Sequence, residues 1–511
     1  MNKNSLSVNI IRKLIITLLI VSGAALITSA VMSLSWRYFH DAPIMIYCAY
    51  LIDSGLIPYR DFFDMNMPGV YFINLLAAKI FGWSDLSFRI FDIIYLCVLS
   101  IFTFLWLKPF GKLTSVSGVL LFGLYYINEN PYLILQREYF ALLPFAVILR
   151  LLIPKSKLSI GRTLLLSGIL TGLTFLIKPQ FIILSLPAIG FFIYENRLNL
   201  RFRKQLMYLV TGFSIPVLVF LFYLTITGSL NSFFDIVFNY WQLYTGLNGD
   251  HQILEGYQKI SYNFRSFFSG INSLLLLLAL TGILVLRNEN TQKKYVFFLF
   301  LQLVASAVDP VISGQFFDYH WIPFNYVALC TASVLVQLPA RNLTAGKFIL
   351  FIAVILLYAP LLKSNIGFTI YYSKNKEKIE RERFQVTDEI TDFLKNNLKA
   401  GDKVQALDWT GGALHAMLKA EAKTATRFIY DFHFYHHINS PYIIRLRKEF
   451  IDELEKSKPE FIIRILENRP WPGGENTSRN FNELDDFIDR NYYVVKEGQG
   501  YKIYEHNKHI K

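Results

Sequence analysis

The sequence predicts a mainly α-helical fold: a polytopic transmembrane helix bundle of about eleven spans carrying a C-terminal extracytoplasmic α/β domain. Three observations predict it. The chain is 53% hydrophobic and only 17% charged, where a soluble domain carries about 25% charged residues. Apolar segments near the ~20 residues needed to cross a bilayer recur along the first two thirds. After residue 362 the composition changes: residues 363–511 hold 25 Lys and Arg and 23 Asp and Glu and contain no such segment.

The apolar segments are 14–35, 91–107, 113–127, 139–153, 163–177, 181–194, 206–226, 271–286, 295–309, 321–338 and 346–362. The first is too long for the apolar stretch of a signal peptide and has no clear small-residue cleavage site, so it reads as a span. The net charge of +13 does not read as nucleic-acid binding, because the basic residues collect in loops on one side of the predicted membrane. With Arg12 and Lys13 inside, Lys108/Lys112, Lys155/Lys157/Arg162, Arg197 to Lys204, Arg287/Lys293/Lys294 and Arg341/Lys347 also fall inside, as the positive-inside rule requires. An odd number of spans then puts the tail outside. The expected location is the cytoplasmic (inner) membrane, multi-pass, with residues 1–362 as the membrane domain and 363–511 as an extracytoplasmic domain. The three cysteines (Cys48, Cys97, Cys330) lie in or near apolar segments and read as buried thiols.

The acids are distributed differently from the bases. Of the 15 Asp and Glu in residues 1–362, only Glu195 and Glu289 fall in the inner loops; the other 13, Glu129 among them, lie in outer loops or at outer helix ends. Acids contribute little to topology, so this segregation points to an acidic outer mouth suited to cations or base chemistry. The first outer loop, 36–90, contains an amphipathic helix pattern over 41–55 with Asp41 at its N-cap position, and an apolar segment over 69–82 too short to span. Both read as helices lying in the membrane interface. The stretch that joins them, GLIPYRDFFDMNMPG (55–69), is therefore held at the lipid–water boundary. In the tail, strands are expected at 403–409, 460–466 and in two short runs from 492 to 506, alternating with helices near 376–399, 411–420, 441–457 and 482–491.

Candidate site residues follow from this placement. Asp41 reads as a helix cap or as a carboxylate that takes a proton from an acceptor hydroxyl. Asp61 and Asp64 read as loop caps or as ligands for a divalent cation, the one cofactor these residues suggest, since hard cations take carboxylate oxygens. Arg137 and Glu138 stand at the outer end of a span, Glu138 as a second acid and Arg137 as a phosphate contact. Lys178 in LIKPQF is a snorkelling lysine or a point charge for phosphate. His320 in FFDYHWIPF is part of an aromatic belt or a donor to a phosphate or sugar hydroxyl. His433, His436 and His437 have helical spacing but lack the further ligands of a zinc site, and DWTGG (408–412) is not a dinucleotide fingerprint.

A first span followed by an acid, a long outer loop with two interface helices, the G-x-x-P-Y-R-D-x-x-D-x-x-x-P-G run, eleven or so spans and an outer soluble tail together resemble the C-type (GT-C) integral membrane glycosyltransferases. Within these the chain looks most like bacterial relatives of protein O-mannosyltransferases and of the lipid A aminoarabinose transferase, over roughly residues 14–340. The resemblance implies transfer of a sugar from a polyprenyl-phosphate donor, a membrane lipid, to a protein, glycan or lipid acceptor, with no nucleic acid involved. It places the family's acids on Asp41, on Asp64 with Asp61 just upstream, and near Glu138; Asp41, Asp61 and Glu138 are the expected catalytic residues. Relatives often carry Lys before the proline run, where this chain has Asn66 and Met67, so donor phosphate binding shifts to Arg60, Arg137, Lys178 and His320. A transporter or flippase of lipid-linked sugars and a surface polysaccharide polymerase or ligase are the competing readings. Transporters place polar residues near the midplane in repeated, interrupted helices, whereas the charges here gather at outer ends and no repeat is present.

Overall fold

The computed structural model describes residues 3–128, 130–154, 157–287, 292–337 and 345–508. Glu129, Lys155, Glu289 and Arg341, and the side chain of Lys347, lie outside the described residues. The protein is mainly helical, with one mixed sheet in its C-terminal part.

Among the described residues six helices are long and apolar enough to cross a membrane: Asn9–Ser35, Asp85–Phe110, Ile160–Ile177, Phe202–Ile226, Lys293–Ser313 and Phe348–Asn397. The pair Gly256–Phe267 and Ile271–Leu286, bent by 65°, makes a seventh if it is counted as one broken span. This corrects the expected eleven for the described residues. The other apolar segments are helical where expected but shorter than the ~20 residues usual for a crossing: Lys112–Asn128, Leu142–Leu152, Ile182–Glu195 and Ile322–Ala332. Breaks at Ala141 and Ser333, and the 3-10 turn Pro179–Phe181, shorten them. A multi-pass membrane protein is what these helices make.

The chain forms two compact units: Met1–Arg37, Asp85–Val219 and Ser261–Lys374 in the first, and Tyr38–Ser84, Phe220–Ile260 and Asn375–Lys511 in the second. The expected domain boundary at 362/363 falls inside the first of two helices that make up Ala345–Asn397 and meet at a kink at Asn375. The helical first unit is held together by close backbone approach and by buried polar groups. A Cβ built on Gly168 would lie 2.3 Å from the Leu209 carbonyl oxygen, and one on Gly212 would lie 2.1 Å from that of Leu165. Only glycine allows these two helices to approach so closely, a common way of packing helices in lipid. Gly212→Val is expected to lower the thermal midpoint by several degrees through overpacking of about 1–3 kcal/mol, read by tryptophan fluorescence in detergent. Elsewhere in this unit Arg89 pairs with Asp92, both fully buried, and donates to Ser33 Oγ at 2.5 Å, while the Tyr126 hydroxyl donates to Asp92 at 2.6 Å. A charge pair inside a bundle persists only when its remaining hydrogen-bonding capacity is met in this way.

The second unit contains a five-stranded sheet: β1 (Lys403–Leu407), β2 (Lys423–Thr424), β3 (Phe461–Ile465), β4 (Tyr492–Gly498) and β5 (Tyr501–His506). Their order is β2-β1-β3-β5-β4. The first three are parallel and the last two form an antiparallel hairpin. The parallel connections run through the helices Ala413–Lys419 and Pro441–Ser457, as parallel pairing requires. Central β3 is buried along nearly its whole length, which is why its sequence reads as a continuous apolar run. The two-residue β2 was not expected from sequence. The loop helices Ala42–Asp53 and Gly69–Phe81 belong to the same unit. Tyr47 donates to the Ala422 carbonyl at 2.9 Å, and the Phe63 amide to that of Arg427 at 2.6 Å, stitching the first loop onto the sheet region.

Candidate active site

In the second unit the stretch 55–69 is organised around Asp64, which is fully buried. Its oxygens accept from the Met65 amide at 2.9 Å, Asn66 Nδ2 at 3.0 and 3.1 Å, the Tyr430 hydroxyl at 2.8 Å and the Tyr71 hydroxyl. A carboxylate offers about four lone-pair sites, and these donors occupy them. Asp61 is not brought into that cluster. Arg60 clamps it with two bonds, 2.7 and 2.9 Å, and the Ile57 amide adds a third at 2.9 Å. Arg60, with its bonds to Asp61 chief among the causes, holds the Asp61 carboxyl below the usual carboxylate range. Arg60 also donates to the Thr227 carbonyl at 2.8 Å and remains partly exposed. The donor set therefore does not fit the cation expected at Asp61 and Asp64: one carboxylate is saturated and the other is chelated by a guanidinium. Among the described residues no three His, Cys, Asp or Glu side chains gather as a metal site would.

Asp41 stands at the N-cap of Ala42–Asp53, yet its side chain makes no capping bond. The carboxylate is buried, 7% exposed, and lies 3.2 Å from His40 Nδ1. It also acts electrostatically on His251, whose ring packs against Trp409 and Phe432.

In the first unit four predicted residues come together. The Lys178 ammonium is buried, donating to Glu138 Oε1 at 2.8 Å and Ser313 Oγ at 3.2 Å, with Asp309 Oδ1 also at 3.2 Å. Gln180 donates to the same Ser313 hydroxyl at 3.3 Å. His320 Nε2 is 3.9 Å from Glu138 Oε1, too far for a hydrogen bond. Burial, reinforced by the charges of Lys178 and Arg137, keeps the His320 ring well below its ordinary pKa, so it is neutral. Two carboxylates thus share one ammonium beside a neutral imidazole and a guanidinium. Glu138 Oε2, Asp309 Oδ2 and His320 Nδ1 are buried without a hydrogen-bond partner among the described residues. Orphaned buried atoms are rare and call for an unseen water or ligand. Asp309 and Ser313 were given no role by the sequence reading. Their signal is a single charge in the otherwise apolar VFFLFLQLVASAVDPVIS.

Among the described residues eleven non-glycine residues take positive φ, and four of them, His40, Tyr59, Leu135 and Phe316 (62°, 68°, 63° and 54°), are close in sequence to a candidate residue. Non-glycine residues in this region cost about 1–2 kcal/mol, and such outliers cluster at functional sites.

A histidine cluster lies in the second unit. The Tyr240 hydroxyl is 3.2 Å from His433 Nδ1 and 3.0 Å from His436 Nε2. Burial pushes His433 down to about 3 and His251 to about 4. Unfolded imidazoles take up protons near pH 6.5, but these resist until the pH is far lower. Stability is therefore full above about pH 7 and falls as pH drops through that window. The expected result is a thermal midpoint lower at pH 5 than at pH 7.5, with the dependence flattened in His433→Phe.

Residues 66–223 match the family described as dolichyl-phosphate-mannose-protein mannosyltransferase. No curated protein matches the chain. Among solved structures, ArnT from Cupriavidus metallidurans bound to undecaprenyl phosphate is 12% identical with a TM-score of 0.60, covering 96% of this chain and 98% of that one. The apo form of the same protein is 12% identical with a TM-score of 0.55, covering 95% and 97%. At such identity the likeness is one of fold. By family sequence over residues 66–223, and by fold over nearly its whole length, the chain resembles the GT-C integral membrane glycosyltransferases.

Proposed function

We propose that the protein is a membrane glycosyltransferase that moves a sugar from a polyprenyl-phosphate donor to an acceptor hydroxyl on the outer face of the cytoplasmic membrane. The observation that carries this reading is the buried Lys178 ammonium with its two carboxylates, neutral His320 and neighbouring orphaned polar atoms. It is a water-poor polar site whose orphaned carboxylate oxygens would accept from hydroxyls of a bound sugar, with the Lys178 ammonium at hand for the phosphate. The ArnT structure that shares the fold holds undecaprenyl phosphate.

The chemistry is one displacement. The acceptor oxygen gives its proton to the Asp41 carboxylate and bonds to the anomeric carbon. The bond from that carbon to the phosphate oxygen breaks, and the electron pair leaves with polyprenyl phosphate. A single displacement inverts the anomeric centre. Lys178 and Arg137 stabilise the growing negative charge, with His320 as a neutral donor. Glu138 fixes Lys178.

The test is reconstitution of the purified protein in vesicles with a panel of polyprenyl-phosphate sugars, following release of free polyprenyl phosphate and sugar on the acceptor. Asp41→Asn is expected to lower the rate about 10²–10⁴-fold while the thermal midpoint stays near wild type. An unchanged rate removes Asp41 as the base. A donor that remains intact but changes leaflet would replace transfer with transport.

A further inference from the structure

Between the helices Ile182–Glu195 and Val296–Ser313 of the first unit runs a groove of about 940 Å³. Its body is apolar, walled by Leu186, Pro187, Phe298, Leu301, Ala305 and Val308, and polar side chains line only one end: Tyr194, Glu195 and Lys294. The wall from Lys294 to Val308 rises about 21 Å at 1.5 Å per residue, deeper than one hydrocarbon leaflet of about 15 Å. A peptide laid along the body would find no hydrogen-bonding side chain there, and an unmet backbone in lipid costs several kcal/mol per group. The shape and polarity fit an amphiphile with a single headgroup.

The charge at the polar end chooses the headgroup. Lys294 pairs with Glu195 at 3.2 Å, and both are substantially exposed. Such a pair is weak and yields readily to a stronger anion. The Arg197 guanidinium stacks on the ring of Tyr194, which lines the groove, 3.9 Å from its centroid, so a second cation stands beside the polar end. We infer that this groove is a binding site for an anionic phospholipid, with an acyl chain along the apolar wall and its phosphate at Lys294 and Arg197. The site is independent of the reaction proposed above.

Gly190 lines the groove, and a Cβ added there meets no atom within 4 Å, so a large side chain can fill the space without a clash. Delipidated protein would be titrated with phosphatidylglycerol and with phosphatidylcholine, reading bound lipid by native mass spectrometry and thermal midpoint by fluorescence. Wild type is expected to retain one phosphatidylglycerol in preference to phosphatidylcholine and to be stabilised by it. Gly190→Phe is expected to lose the retained lipid and the shift. Lys294→Gln, a surface change, is expected to keep an acyl lipid but lose about fivefold of the headgroup preference, the worth of one basic residue at an anionic surface. Equal retention of both lipids by wild type, or unchanged phosphatidylglycerol retention in Gly190→Phe, overturns the assignment. So does displacement of phosphatidylglycerol by an equimolar polyprenyl monophosphate, which would make the groove a donor-chain channel.

Discussion

Lys178→Met is expected to abolish sugar transfer and also to destabilise the membrane unit, and the two effects are separable. The ammonium is buried between Glu138 at 2.8 Å and Asp309 at 3.2 Å. Methionine keeps the length and apolar stem of the side chain but leaves two carboxylates without their counter-charge. Breaking a buried pair from one side costs about 3–5 kcal/mol, enough to lower the thermal midpoint of a unit this size by roughly 5–8 °C. Loss of a cation placed for a departing phosphate costs a further rate factor of about 10²–10³. In the triple variant Lys178→Met, Glu138→Gln, Asp309→Asn the ammonium and both of its carboxylates are removed together, so the midpoint should recover much of the loss. Transfer should not recover, because the phosphate still lacks its cation. Recovery of both would make Lys178 a structural counter-ion only, and the readout is the donor-release assay beside a melting curve.

The sequence made some of this legible and concealed the rest, for physical reasons. An amphipathic pattern over 41–55 and an apolar run over 69–82 located the two short helices of the first loop, although Ala42–Asp53 is buried on nearly every side. The strands from 403 and from 460 declared themselves as apolar runs bounded by turn residues, as buried parallel strands do. The breaks that cut the expected spans were mostly hidden. Ser333 carries no proline or glycine signal, and the break at Ala141 is announced only by Pro144, which has no amide to bond to the Phe140 carbonyl. Lys178 stood out because a lone lysine in an apolar run is costly. Its partner Asp309 is 131 residues away, and no local pattern joins the two. The interleaving of the compact units was equally out of reach, because it depends on contacts such as that between Asp64 and Tyr430, 366 residues apart.

Asp64→Asn tests that long-range contact, and its expected effect on stability is large. The carboxylate is the one acceptor common to two tyrosine hydroxyls, an amide side chain and a backbone amide. Asparagine replaces one acceptor oxygen with an NH₂ group, so donors face donors in a site with no exposed surface. Charge-assisted bonds are worth about 1.5–3 kcal/mol each, and the loss of two places the expected cost near 3–5 kcal/mol. Tyr430→Phe removes one donor, and Asp64→Asn in that background should cost measurably less than in wild type. The difference is the coupling energy of a contacting pair, about 0.5–3 kcal/mol. Chelator treatment distinguishes this role from metal binding. With its lone pairs filled by protein donors, Asp64 has none to offer a cation, so dialysis against EDTA should leave the melting curve of the wild type unmoved. A fall of the midpoint on chelation, restored by a divalent cation, would return Asp64 to the list of ligands and require the tyrosine hydroxyls to turn away from it.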